Sequence, residues 1–172
     1  MLSVVKTLLP FCTRFCISLN EYDNIPKELL ELKKSSDKII TVLTGREHNV
    51  KDLGNLNKMY WLGDFPGYYA TVDDDLNYSK TYLDTLIYNM KLHADLVICS
   101  YHGLLFKTND GIVDLNTKKI IFYNKINETN QVCLRPGMGT AIMNPQKLGI
   151  SKNLYLCHEK GYSDDIITSI FA

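Results

Sequence analysis

No stretch of this chain reaches the roughly 18 consecutive apolar residues that a membrane-crossing helix needs, so no transmembrane segment is expected. Nor is there a surplus of either charge. Lys and Arg number 19, Asp and Glu number 19, and the formal net charge is zero. That balance argues against a nucleic-acid partner, because such binding rests on a basic surface. The five cysteines, Cys12, Cys16, Cys99, Cys133 and Cys157, are odd in number and form no CxxC pair. Reduced thiols in a cytoplasmic protein are the simplest reading. The opening run MLSVVKTLLPFCTRFCISL lacks a basic start, is interrupted by Pro10 and carries Arg14, which counts against a signal peptide. Asn77 and Asn127 head glycosylation sequons that have meaning only on secretion. No repeat, low-complexity tract or linker divides the 172 residues, so one domain over 1–172 is expected, large enough for a real core.

What is present is organised around GYYATVDDDLNYSKTYLDTLI, residues 67–87. Pro66-Gly67 punctuates the start of a short aromatic, β-prone segment ending at Val72. Asp73, Asp74 and Asp75 follow without interruption. Ser79 is a candidate N-cap, and Leu83, Leu86, Ile87 and Met90 then recur at helical spacing. Three acids at the end of an apolar strand repel one another and lose hydration, so something positive must offset them. A divalent cation on a phosphorylated ligand does so. If the strand stays extended, Asp73 and Asp75 point to one side and Asp74 to the other. The outer pair then makes a two-carboxylate claw for Mg²⁺ or Mn²⁺. The competing reading is a solvated loop, or acids favoured by the dipole of the next helix.

The remaining elements alternate in type. Residues 2–9 read as a helix stopped by Pro10, FCISL (15–19) as a strand, KELLE after Pro26 as a helix and IITVL (39–43) as a strand. DLGNLNKMYWL (52–62) mixes loop and helix signals. DLVICSY (95–101) reads as a buried strand, 107–118 as a polar, turn-rich stretch, and 119–123 and 131–134 as a pair of strands. Residues 163–172 read as a capped helix. The β-α-β alternation predicts an α/β fold with some parallel pairing.

Other chemistry candidates each carry a plainer alternative. Asp164 and Asp165 can supply a general base or merely cap a helix. His102, before Gly103, can line the cleft or sit as a satisfied structural histidine. The turn Gly137-Met-Gly-Thr140 can let backbone approach a sugar or phosphate, or simply join two strands. Lys58 and Arg46 can meet diphosphate charge or lie on the surface.

Taken in order, LNEYDNIPKEL (19–29), DLGNLNKMYWL (52–62), the 67–87 block, SYHG (100–103), GMGTA (137–141) and SDDIITSIFA (163–172) resemble a bacterial branch of the family 2 glycosyltransferases. The aspartate block with its flanks is the specific part. The resemblance implies the type A nucleotide-sugar fold, Rossmann-like, with a mostly parallel central sheet flanked by helices. It implies metal-dependent transfer of a sugar from a nucleotide-sugar donor to a saccharide acceptor, in bacterial surface polysaccharide synthesis. Asp73 and Asp75 match the outer acids of the DxD motif that holds Mn²⁺ or Mg²⁺, and Asp74 its middle position facing sugar or ribose. Asp165 matches the acid that acts as general base in inverting members. Asn55 and Lys58 fall where the family lines the nucleotide pocket, and His102 and Thr140 match two turns near the cleft.

The chain also departs from that pattern. Set against the family pattern, a domain shortened at both ends is expected, without the family's first strand and the continuation of its late helix. At Tyr78-Ser79 the usual proline is missing, and Asp164 replaces a small residue. These departures keep open a degenerate, non-catalytic module that binds saccharide or a protein partner. A missing edge strand would expose a sheet edge and favour a homodimer. A haloacid-dehalogenase-type phosphatase also places DxD at a strand end, but Asn77 stands where that family has Thr or Val.

Overall fold

The computed structural model describes residues 1–45, 51–109, 112–122, 129–133 and 135–153. The chain opens with helix α1 (Leu2–Leu8), whose Val4, Val5 and Leu8 are buried, and Pro10 turns it into a short 3₁₀ segment. Strands β1 (Phe15–Asn20) and β2 (Ile39–Thr44) pair in parallel, Phe15 opposite Ile39 through Asn20 opposite Thr44. Helix α2 (Lys27–Ser35) makes the crossover between them, starting after Pro26 and burying Leu29 completely. Leu29 packs with Val5, Ile17, Leu19 and Ile39 in one apolar cluster.

A second sheet carries the acidic stretch. Strand β3 (Tyr69–Val72) and the two-residue β4 (Cys99–Ser100) flank β8 (Thr140–Met143), and both run antiparallel to it. All four residues of β8 are buried. Helix α3 (Tyr82–Leu92) connects β3 to β4 and covers one face of this sheet. Its Tyr82, Leu86 and Met90 pack with Ile142, and with Val4 and Leu8 of α1. Because Val5 belongs to the cluster under the parallel pair, α1 ties the two sheets together. On the other face, a 3₁₀ segment (Gly54–Met59) and Leu62 pack against Met138, Ala141, Met143 and Ile150. A third sheet is a hairpin of β5 (Gly103–Asn109) and β6 (Ile112–Ile121), with a bulge between Leu105 and Lys107. Strand β7 (Arg135–Pro136) pairs with β5 on its other side. The four-residue helix α4 (Pro145–Leu148) follows β8 and ends on Gly149 in the left-handed conformation.

The expected mostly parallel, Rossmann-like central sheet does not form. Among the described residues only β1 and β2 pair in parallel, and every other pairing is antiparallel. The physical reason lies in β8. Strands β3 and β4 do run in the same direction, as a β-α-β unit requires, but they are not neighbours. The apolar strand from the second half of the chain sits between them. The polar stretch 107–118, read as turns, is most of a β-hairpin, and residues 131–133 are not strand.

Among the described residues Cys12, Cys16, Cys99 and Cys133 form no disulfide. Burial pushes the Cys16 thiol up to about 11, with Cys12 and Asp64 adding to it against Arg14, so it stays protonated and unreactive at neutral pH. No described helix is long and apolar enough to cross a membrane.

Candidate acidic site at the end of β3

Strand β3 delivers Asp73 to the rim of the second sheet, and two glycine turns close around it. The Asp73 backbone N–H donates to the Gly139 carbonyl at 3.2 Å and to the Tyr78 hydroxyl at 2.7 Å. The same hydroxyl donates to the Gly139 carbonyl at 2.7 Å. Thr71 Oγ1 donates to the Met138 carbonyl. Strand and turn are thus stitched together at successive positions. A side chain at Gly139 has no room, because its Cβ would fall within the Asp73 carboxylate.

Residues 100–103 close the other side. The Gly137 N–H donates to the His102 carbonyl at 2.7 Å, and a Cβ at Gly137 would fall within the His102 imidazole. Ser100 Oγ lies 2.7 Å from the Gly137 carbonyl, 2.8 Å from the His102 carbonyl and 3.0 Å from Thr140 Oγ1. Thr140 is buried, and its hydroxyl joins this network. Both glycines are therefore required for close approach, one to an acid and one to an imidazole.

The positive charge demanded by the acids comes from the chain itself. Lys58 Nζ forms an ion pair with Asp73 Oδ1. The 3₁₀ segment that carries Lys58 is fixed by Tyr69 Oη, which donates to the Lys58 carbonyl at 2.6 Å, and by the buried Leu56 and Met59 on either side. Beyond Asp73 the extended backbone does not persist, since Asp74 and Asp75 lie in a turn. The alternation that would set Asp73 and Asp75 on one side therefore ends at Val72. Asp73 is half-buried and paired, whereas Asp74 and Asp75 are exposed.

The structure brings Asp73, Lys58, His102 and Thr140 to one rim, through the Lys58–Asp73 pair, the 137–140 turn and the Ser100 hydroxyl. Asn55 is exposed on the 3₁₀ segment. Asn57, two residues on, is 1% exposed, and its Nδ2 donates to Asn20 Oδ1 at 3.0 Å and Thr44 Oγ1 at 3.2 Å. Asn20 and Thr44 end the parallel strands, so this knot joins the first sheet to the segment carrying Lys58. Asp165, Asp164, Arg46 and the helix expected over 163–172 lie outside the described residues. Sequence reasoning missed Tyr78, Ser100 and Asn57. Tyr78 had a signal, an aromatic three residues past the last acid, whereas the buried asparagine had none.

Burial pushes the Tyr78 hydroxyl well above its ordinary value. The Asp73, Asp75 and Asp74 charges raise it further, against the hydrogen bond from the Asp73 backbone. It therefore remains a proton donor at neutral pH. Tyr78→Phe leaves the direct bond between Asp73 and Gly139 in place, so a loss of about 1 kcal/mol is expected. Urea unfolding should show a lower midpoint with an unchanged slope.

Among the described residues no group of three or more His, Cys, Asp or Glu side chains converges on a metal position. A hard cation of the Mg²⁺ or Mn²⁺ kind takes only one or two protein carboxylates and keeps water and phosphate as its other ligands. Asp75 offers an exposed carboxylate, Asp74 Oδ2 stands 3.9 Å from the Met1 ammonium, and Asp73 already holds Lys58.

Comparison with known proteins found no family model that matches the chain and no curated protein significantly similar to it.

Proposed function

We propose that the protein transfers a sugar from a nucleotide-sugar donor to a saccharide acceptor with the help of Mn²⁺ or Mg²⁺, in the cytoplasm and in the service of surface polysaccharide synthesis. One observation supports this reading above the others. The acid triplet, a lysine and two glycine turns converge at the end of β3, although they are scattered from residue 58 to residue 140. Such a rim suits a diphosphate, which needs cations and carboxylates to carry a metal.

In this reading Asp75 and Asp73 would hold the metal, which would supply positive charge to offset that of the departing nucleoside diphosphate. Lys58 adds a second positive charge, and its pairing with Asp73 fixes where that charge stands. Asp74 faces the donor's sugar or ribose. Gly137 and Gly139 leave room for His102 and Asp73 at the rim, with Thr140 beside them and Asn55 further along the nucleotide. Asp165 takes the proton from the acceptor hydroxyl. Most of the acceleration comes from positioning and charge.

Calorimetric titration with a panel of nucleoside diphosphates, with and without Mn²⁺, tests the donor site. Binding of one nucleotide that depends on Mn²⁺ is the expected result. Failure of every nucleotide to bind a folded protein under both conditions rules the donor site out. The Lys58–Asp73 pair favours a second reading, a non-catalytic saccharide-binding module, because it already neutralises one acid without a metal. Saccharide retention that ignores Mn²⁺, with no breakdown of sugar nucleotides, would mark that case.

A further inference from the structure

Beside the acids lies a small open cavity of about 170 Å³, lined by Leu76, Asn77, Tyr78, Ser79, Tyr82, Tyr101 and Thr140. Its wall is aromatic. The Tyr82 ring stands edge-on to Tyr78, with centroids 4.7 Å apart, and stacks on Tyr101 at 5.6 Å with an interplanar angle of 27°. Tyr82 is buried and braces the other two rings. Tyr78 is pinned by its hydroxyl to Asp73 and Gly139, and Tyr101 by its backbone N–H to the Thr140 carbonyl at 3.3 Å. The rings are therefore set before any ligand arrives, which lowers the cost of binding. The only exposed polar side chains on the lining are those of Asn77 and Ser79. The Asn77 amide has no hydrogen-bond partner among the described residues, and no charged side chain lines the cavity.

These features select the ligand. Pockets for whole cofactors or drug-sized ligands run to about 300–1,000 Å³, so this one has room for a single ring and not for a nucleotide sugar. The absence of a lining cation makes it a poor place for phosphate. A rigid aromatic wall with an amide at its lip suits a neutral ring that has one apolar C–H face and hydroxyls around its edge. We infer that this cleft is a subsite for one pyranose ring, which stacks on Tyr78 and Tyr101 and hydrogen-bonds to Asn77. If the protein is the transferase proposed above, this ring is the acceptor end. Tyr78 on the lining is bonded to the Asp73 backbone, and Leu76 directly follows Asp75, so a sugar held there lies beside the acidic turn. The subsite itself does not depend on transfer taking place.

Saturation-transfer NMR with methyl β-D-glucopyranoside, methyl β-D-galactopyranoside and methyl α-D-mannopyranoside tests this on the wild-type chain, Tyr101→Leu and Asn77→Ala. Leucine keeps apolar bulk where Tyr101 packs against the core, and Asn77 is exposed, so both variants can be checked for folding by near-UV circular dichroism. At least one glycoside should show saturation from aromatic protons. Its dissociation constant should rise about tenfold in Tyr101→Leu and several-fold in Asn77→Ala. Three results overturn the inference. One is no saturation with any glycoside on a folded protein. Another is affinity unchanged by both substitutions. The third is displacement of the glycoside by uridine, which would make the occupant a base. Nucleotide titration on the same samples separates the two claims. Glycoside binding without nucleotide binding keeps the subsite and removes the transferase reading, and the converse does the opposite.

Discussion

Gly139→Ala should destabilise the protein by about 1–3 kcal/mol, the range of an overpacked site, and should disorganise the acidic rim as well. The added methyl falls within the Asp73 carboxylate. The two backbones cannot separate to make room, because the Asp73 N–H is bonded to the Gly139 carbonyl and Tyr78 bridges the same groups. The carboxylate must rotate away, and in doing so it leaves Lys58. A double-mutant cycle isolates this mechanism. In an Asp73→Ala background the methyl has space, so Gly139→Ala should then cost less than about 0.5 kcal/mol, and the coupling should account for most of the single-mutant loss. Urea denaturation of the four proteins gives the answer. Equal costs in both backgrounds would mean that Gly139 is needed for some other reason than room for Asp73.

The second large effect concerns the acids, whose different surroundings should split their roles. Asp75 is exposed and lies in a turn, so Asp75→Ala should change stability by less than about 0.5 kcal/mol. If it carries the metal, that same change should weaken Mn²⁺-dependent nucleotide binding on the order of 100-fold, at least what loss of an outer partner of a metal ligand costs. Asp73→Ala should weaken binding comparably but also cost about 1–2 kcal/mol, since it removes a charged partner from Lys58 in a partly screened pair. Calorimetry with Mn²⁺ and denaturant melts, run on both variants, separate a ligand from a positioning group. Undiminished Mn²⁺-dependent affinity in Asp75→Ala would remove Asp75 from the metal site.

Where local pattern decides structure, the sequence was legible. Apolar spacing and Pro10 mark α1, Pro26 marks the start of α2, and β-branched runs mark β1 and β2. Helix α3 begins two residues later than Ser79 suggests. Thr81 takes the capping position without a side-chain hydrogen bond. Pairing was not legible, because it depends on partners far along the chain. Nothing in Thr140–Met143 states that it will sit between β3 and β4, and that one insertion turns an expected parallel sheet antiparallel. The β5–β6 hairpin was hidden by polar residues on a two-sided ribbon, although Asp110-Gly111 between β-prone flanks is a hairpin signal that composition obscured. The site divides in the same way. Acids and glycines stand out by type, so Asp73, His102, Gly137 and Gly139 were all singled out. The neutralising role of Lys58, the pinning of Tyr78 and the burial of Asn57 arise only from tertiary contacts.

The stitching of β3 to the 138–140 turn also sets an order of events during synthesis. Thr71 waits for a partner 67 residues later. At about 5–20 residues per second, the chain up to β3 is out for roughly 3–13 s before its neighbour exists. The parallel pair, closed by the short α2 crossover, can settle in that interval. Strand β3 cannot, and its edge stays bare. Forming the β5–β6 hairpin first shortens the loop still to be closed and so lowers its entropic cost. The acidic rim is therefore assembled last. A nascent chain stalled before residue 137 would hold its aspartates without the turn that bonds Asp73.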